Sequence, residues 1–414
     1  MSNSLTLRKN NQTYYLTFHI IYAIIIYQNK KEVKNLIKGK IVRLFPNKEQ
    51  EQLLWRHIGA SRFIYNYMLA LQIERHKNGE KYLSAFGMSY LLPEMKKTEE
   101  FIWLNDISAR ALQRSCADLA TAYERFFHKQ SGFPKFKSRK RSKSSFPIND
   151  SFGSLWFSPN SVQIPKIGKM PYRAQENLPM GRQQKFSDPR ISYTINHKWI
   201  LTFGIECETQ TPILTDLSMG IDLGIKELAV VAYGDEQMVF HNRNKGKKMR
   251  QLNRKLAHYQ RNLARKYSVN GSYEETSNVR TTKKKIKRLY YHIANIRKDY
   301  LHKITHELVN KYPKRVVMET LSVQDMMKNK HLAKYIQEQC FYEFKRQMKY
   351  KCEWNGIEFV EVERYYPSSK ICSCCGAIKK DLKLNDRIYH CDACGLTIDR
   401  DYNAAVNLMR YGVQ

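Results

Sequence analysis

The chain has 414 residues, of which 42% are hydrophobic and 12% aromatic, and its 71 Lys and Arg outnumber 38 Asp and Glu. That apolar content can build several cores and excludes a disordered polymer. A formal net charge of +33 repels itself unless a polyanion neutralises it, which points to nucleic acid as the partner.

Near the N-terminus an apolar run from Tyr14 to Tyr27 is interrupted by Thr17 and His19. It is too short to cross a bilayer as a helix and has no small-residue cleavage site. Residues 1–37 therefore read as a dispensable N-terminal extension. From Lys40 to Phe45 apolar and polar residues alternate as in a strand, and Pro46 ends it. Asn47 with Gln50 three residues on has the form of a capping box. Residues 48–130 then read as helical, with Leu53, Leu54, Ile58, Phe63, Tyr67 and Leu71 as one core stripe. Leu112, Cys116, Leu119, Tyr123 and Phe126 form a second.

A basic segment follows, with Lys129, Lys135, Lys137, Arg139, Lys140, Arg141 and Lys143 interleaved with Phe133 and Phe136. Its aromatic residues and the Gly132/Pro134 punctuation predict an ordered phosphate-contacting loop rather than a solvated linker. Short alternations such as Ser161–Ile164 and Trp199–Phe203 make 146–215 strand-like. Together with the first strand this predicts a small β-barrel.

Met219–Gly224 opens a new domain with an apolar strand that carries one aspartate, Asp222, at the cost of burying a carboxylate. Leu228–Tyr233 and Met238–Phe240 complete a three-stranded meander. Between Arg243 and Lys298 there are eighteen Lys and Arg and two Glu. Leu252, Leu256, Tyr259 and Leu263 line one helix; Ile286, Leu289, Ile293 and Ile296 line another. The prediction is an antiparallel basic hairpin, with Lys247, Lys248, Arg250, Lys284 and Lys287 among the cations that meet backbone phosphates. Arg315–Leu321 is a second buried strand ending on an acid, Glu319. A helix from about His331 to Glu353, a strand Ile357–Val362 and a last helix near Asp401 follow. No Gly-rich phosphate loop with Lys-Ser/Thr is present, so nothing indicates nucleotide hydrolysis.

Two Cys-x-x-Cys-Gly knuckles, Cys372/Cys375 and Cys391/Cys394, are separated by fifteen residues. That is the spacing of a four-cysteine zinc site. Cys374 falls out of register and reads as a bystander. Cys116, Cys207, Cys340 and Cys352 are scattered, which favours a reducing compartment over a disulfide framework.

Asp222, Glu319 and Asp401 come from two strands and one helix of one inferred domain. Hard carboxylate oxygens suit Mg²⁺, and two such cations about 4 Å apart hydrolyse a phosphodiester with little covalent help from protein. Clustered acids repel one another without metal, raising at least one pKa. On residue types alone Asp399 competes with Asp401, the other being a helix cap.

Ile221-Asp222-Leu223-Gly224, Val317-Met318-Glu319-Thr320-Leu321 and Tyr366-Pro367-Ser368-Ser369-Lys370 lead into the two knuckles and Asp399-Arg400-Asp401-Tyr402-Asn403-Ala404-Ala405. This series resembles the TnpB family of insertion-sequence proteins, related to compact type V CRISPR effectors and Fanzor proteins. Lys40–Pro46 resembles its opening strand and Gly132–Lys137 its phosphate-binding loop. The resemblance implies a multidomain α+β protein: a RuvC-like, RNase-H-fold nuclease with an inserted four-cysteine zinc ribbon, a small β-barrel (wedge) domain and a helical recognition domain. The implied limits are 38–47 and 131–215 for the wedge and 48–130 for recognition. The nuclease takes 216–366, with the basic hairpin at 243–312, then the ribbon at 367–398 and the end of the nuclease at 399–414.

The implied activity is an RNA-guided DNA endonuclease of the prokaryotic cytoplasm, associated with the nucleoid. It carries a guide RNA from the element end and cuts double-stranded DNA beside a short adjacent motif. Asp222, Glu319 and Asp401 would hold Mg²⁺, and Cys372, Cys375, Cys391 and Cys394 one structural Zn²⁺. A nuclease-inactive guided repressor and an accessory protein of DNA transposition are the alternatives. Intact acids at all three positions weigh against the first, and the lack of a His-x-His plus Tyr arrangement weighs against strand transfer by the chain itself.

Overall fold

The computed structural model describes residues 34–139, 142–148, 153–182, 184–209, 212–269, 276–383 and 386–412. The expectations for residues 1–33 and for Lys140 and Arg141 lie outside these. Contacts divide the chain into two units, one of Asn35–Cys207 and one containing Glu208 onward.

In the first unit β1 (Lys34–Leu44) precedes α1 (Lys48–Lys77). The strand thus starts inside the segment expected to be dispensable. Gly204 explains the extension, since a Cβ there would press on Ile37. The predicted capping box forms: Gln50 N–H donates to Asn47 Oδ1 at 2.7 Å and Asn47 N–H to Gln50 Oε1 at 3.1 Å. Helices α2 (Ala85–Tyr90), α3 (Leu92–Met95) and α4 (Ala109–Phe127), with a 3₁₀ segment Glu99–Asp106, complete the helical part.

Of the predicted α1 stripe Leu54 and Ile58 are buried, and the core face continues through Ile64, Tyr65, Met68 and Leu69 in place of the expected Phe63, Tyr67 and Leu71. Phe63 and Tyr67 pack beside it on Phe101, their ring centroids 5.6 and 5.5 Å from it. A helix packed on two sides has two apolar faces, and periodicity alone does not rank them.

Strands β2 (Ser145–Pro147), β3 (Trp156–Phe157), β4 (Ser161–Ile164), β5 (Gly168–Arg173), β6 (Phe186–Tyr193) and β7 (Trp199–Thr209) join β1 in a seven-stranded sheet. Its order is β2-β6-β7-β1-β5-β4-β3. Among the described residues β2 and β3 are edges rather than partners, so the hydrogen-bonded closure of a barrel is not seen. The sheet nevertheless wraps one core. Phe157 on edge strand β3 lies 5.5 Å from Phe186 of β6 and 5.2 Å from Phe203 of β7.

The second unit is built on a five-stranded sheet, order β10-β9-β8-β11-β12. Here β8 (Ser218–Leu223), β9 (Glu227–Tyr233) and β10 (Glu236–His241) form the expected antiparallel meander. Helices α5 (Lys247–Val269) and α6 (Ser277–Val309) form the basic hairpin, and β11 (Arg315–Glu319) pairs parallel with β8.

After α7 (Val323–Met326), the predicted single helix is two, α8 (Ala333–Gln339) and α9 (Phe341–Trp354). Cys340 between them is left-handed, φ 56°. The break lets Ile336 and Phe341 both enter the same core, a tertiary demand that overrides local helix preference. Strand β12 (Glu358–Val362) pairs parallel with β11. Then β13 (Ile388–His390) and β14 (Thr397–Asp399) pair within the knuckle region, and α10 (Arg400–Met409) ends the chain.

The central sheet is covered on both faces. Met219, Ile221, Val316 and Met318 face a core shared with α6 and α9. The alternate residues face α10: Val230 and Ala232 meet Ala405 and Val406, and Val317 meets Leu408. Among the described residues no helix is long and apolar enough to cross a membrane.

Candidate active site

Asp222 and Glu319 stand at the carboxyl ends of two parallel neighbouring strands. The register pairs Val317 with Gly220 and Met318 with Ile221, so one step further Glu319 stands beside Asp222. Alternation puts both on the α10 face. Crevices at the carboxyl ends of parallel strands are where such sheets bind ligands.

The third acid is positioned by a glycine. A Cβ on Gly220 would fall on the Ala405 carbonyl and the Met409 nitrogen, so α10 lies directly on β8 at that point. Asp401 is one helical turn before Ala405, and Asp222 is two residues beyond Gly220. Four helical residues rise about 6 Å and two strand residues about 6.8 Å, which sets Asp401 over Asp222.

Asp399 has the other role. Its Oδ1 accepts from the N–H groups of Asp401 and Tyr402, both at 3.0 Å, as the N-cap of α10. The charge of Asp401 instead acts on Asp222.

All three carboxyls are raised, Asp222 the most. Burial, then the charges of Glu319 and Asp401, push the Asp222 carboxyl well above its ordinary range. Glu319 is raised by burial against the pull of the Ser368 hydroxyl and Arg400. Burial and Asp399 raise Asp401, with Arg387 and Arg400 opposing.

The cysteines form a second cluster. The sulfurs of Cys372, Cys375, Cys391 and Cys394 lie within 4.8 Å of one another and can hold a metal ion. The pairs Cys372–Cys394 and Cys375–Cys391 are 3.6 Å apart, close to the roughly 3.8 Å edge of a tetrahedron with Zn–S of about 2.3 Å. Gly376 and Gly395 take φ of 77° and 73° just after each knuckle, a region open to glycine. Their N–H groups donate back to the carbonyls of Cys372 and Cys391 at 3.0 and 2.9 Å. Cys374 is exposed and outside the cluster.

Sequence reasoning missed the ties between these clusters. The loop from Tyr366 to Ser373 is held by Asn403 and Asn407, both buried on α10. Their spacing of four residues on a helix otherwise rich in Ala and Leu was the available signal.

The basic residues divide. Lys135 and Arg139 are exposed in the loop, as are Lys247, Lys248, Arg250, Lys284 and Lys287 on the hairpin. Lys137 is half-buried. Its Nζ sits 3.5 Å from the Tyr65 ring centroid, and its backbone is clamped on both sides by Asn66. Burial lowers its pKa.

Comparison with known proteins gives the chain its relatives. Family models described as a helix-turn-helix domain, a probable transposase, and a Cas12f1-like TNB domain match residues 36–81, 202–330 and 341–408. The chain is 32% identical over 384 residues to a Streptomyces pristinaespiralis protein named putative RNA-guided DNA endonuclease, covering 92% of this chain and 90% of the relative. The chain belongs to the TnpB family. An Escherichia coli K12 protein named putative RNA-guided DNA endonuclease InsQ is 34% identical, with 89% of this chain and 91% of the relative covered. The fold resembles a chain in the cryo-EM structure of the Cas12f1–sgRNA–target DNA complex, at a TM-score of 0.59 and 12% identity over 91% of this chain and 99% of that one. In this TnpB-family chain the transposase match spans Asp222 and Glu319, and the TNB match spans the four cysteines and Asp401.

Proposed function

We propose that the chain is an RNA-guided DNA endonuclease that cuts beside a short adjacent motif by two-metal hydrolysis, with Asp222, Glu319 and Asp401 as the metal-binding acids. The observation that carries this reading is the convergence of three acids from distant segments at one sheet end, where burial and then the charges of Glu319 and Asp401 raise the Asp222 carboxyl. The names of the relatives favour the guided activity, and +33 of net charge favours nucleic-acid partners. The sheet order, with a three-stranded meander followed by two parallel strands, supports reading this domain as a RuvC-like nuclease.

The donor set fits Mg²⁺, because its ligands are hard carboxylate oxygens. Bound there, Mg²⁺ would activate a water and steady the leaving oxygen of the phosphodiester. Asp222 would give up its proton as positive charge arrives, so metal binding is coupled to proton release. Glu319 is aimed by Ser368, and Asp401 is brought in on the first turn of α10 by the seat at Gly220. The cysteine cluster fits Zn²⁺ as a closed structural site.

The remaining domains follow the same reading. The sheet of 38–47 and 131–215 acts as wedge and the helices of 48–130 as recognition domain, while 216–366, 367–398 and 399–414 form the nuclease with its ribbon. Lys135 and Arg139 in the loop and the exposed cations of the hairpin take phosphates of a guide RNA from the element end and of the duplex target. The site of action is the nucleoid of a prokaryotic cell.

The test is purification with sequencing of any bound RNA, then cleavage of a duplex that matches its guide. Cleavage that needs both the matched RNA and Mg²⁺ is expected, with affinity falling by a log–log salt slope of about −0.9 for each phosphate contacted. RNA-free protein cutting duplex DNA equally well would leave a nonspecific metal nuclease as the better account.

A further inference from the structure

Ser368 lies in the loop between β12 and the first knuckle and is 2% exposed. It is bonded at both ends. Its hydroxyl donates to Glu319 Oε1, and its carbonyl accepts from Asn407 Nδ2 at 2.8 Å. Asn407 is 5% exposed and sits on α10, the helix that carries Asp401. The same amide donates to the Ile371 carbonyl at 2.7 Å, as does Asn403 Nδ2 at 2.7 Å. Asn403 Oδ1 in turn accepts the Ser373 N–H at 3.0 Å. One short loop is thus fixed to the helix of one acid and hydrogen-bonded to the carboxylate of another.

A glutamate has three rotatable bonds, and a strand end leaves its carboxyl free to swing unless a partner selects one orientation. A serine hydroxyl can donate to one carboxylate oxygen and leave the other open. It also adds no charge that would compete with a cation. Such outer partners orient metal-binding carboxylates elsewhere in proteins, and their loss costs roughly 10–100-fold in metal affinity or activity.

We propose that Ser368 is a positioning residue that holds Glu319 in its metal-binding orientation and, through Asn407, keys that acid to the helix bearing Asp401. This rests on the reading of Glu319 as a metal-binding acid. The strand end that carries Glu319 and the helix that carries Asp401 are then aligned through one residue.

The experiment uses the full chain with its RNA and compares Ser368→Ala, Glu319→Gln and the double variant. Cleavage is followed against Mg²⁺ concentration, and Mn²⁺ binding is read by electron paramagnetic resonance. In Ser368→Ala the Mg²⁺ needed for half-maximal cleavage should rise roughly 10–100-fold, and Mn²⁺ affinity should fall in parallel. Zinc content and target binding should stay at wild-type levels. In the Glu319→Gln background, adding Ser368→Ala should change nothing further, because the serine acts only through that carboxylate.

Unchanged metal dependence in Ser368→Ala beside an inactive Glu319→Gln overturns the proposal and leaves the acid reading standing. Loss of zinc or of target binding in Ser368→Ala also overturns it, since the serine is then a folding element. A further loss in the double variant overturns it too. Wild-type cleavage by Glu319→Gln sinks the acid reading instead.

Discussion

The cysteine cluster and the carboxylate cluster sit in the same unit and are built on opposite terms. The cysteines come from one stretch of 23 residues, Cys372 to Cys394, on two hairpin turns whose backbone already turns toward the sulfurs. Their four soft ligands can close around one ion. The carboxylates come from positions 222, 319 and 401, held by strand pairing, a helix seat and a serine. Burial raises all three carboxyls, and Asp222 is raised further by the charges of the other two. A structural site can be local and complete; a site that must admit a phosphodiester has to be held open by the surrounding fold.

The largest effect should come from the acids. Asp222→Ala or Glu319→Gln should lower guided cleavage by roughly a thousandfold or more, equivalent to about 4 kcal/mol of barrier, with target binding retained in a gel-shift assay. Asp399→Ala should be milder, because it removes a helix cap worth about 1 kcal/mol. Equal loss in Asp399→Ala and Asp401→Ala would erase the distinction between cap and ligand.

The cysteines should behave as a folding element whose failure reaches the acids. Cys391→Ser should abolish zinc binding by elemental analysis and lower the Tm by several degrees. It should also cut cleavage, since the loop held by Asn403 and Asn407 runs into Cys372. A zinc-free variant that stays folded and fully active would separate the two clusters.

Gly220→Ala tests the seat of α10 on β8 without removing a ligand of either cluster. The added methyl meets backbone rather than a flexible side chain, so a loss of about 1–3 kcal/mol is expected by denaturant titration. Cleavage should drop more than target binding does. Wild-type stability would mean α10 moves away freely.

The smallest effect is electrostatic. The Asp222 carboxyl titrates well above its ordinary value in the fold, so the folded state holds that proton more tightly than the unfolded chain does. Stability of the metal-free protein should therefore fall as pH rises through the unfolded value towards the folded one, with the penalty complete above it. Asp222→Asn should raise the Tm at neutral pH by roughly 2–4 °C, and the gain should vanish as the pH drops below about 4. A gain that persists at low pH would come from packing, not charge.

Much of this site is legible in the chain. Cys-x-x-Cys-Gly twice over names its ligands, because knuckle geometry is local. Asp222 and Glu319 stand out as acids ending apolar strands. Asp399 and Asp401 do not separate on paper: each is an acid at a helix start, and only the N–H groups pointing at Asp399 assign it to the cap. Lys137 reads like its basic neighbours until Tyr65 and Asn66 enclose it. The faces of α1 and the break at Cys340 were likewise decided by what packs against them.

The sequence by itself determined the composition of both clusters, the strand and helix order that carries them, and the excess charge that calls for a polyanion. These depend on residue type, spacing and local backbone preference, which act over a few positions. The tertiary structure alone decided that Gly220 would admit α10, that this contact would bring Asp401 over Asp222, and that Ser368 would meet Glu319. Each is a contact across 49 to 185 positions of chain, set by packing and register that no local pattern encodes.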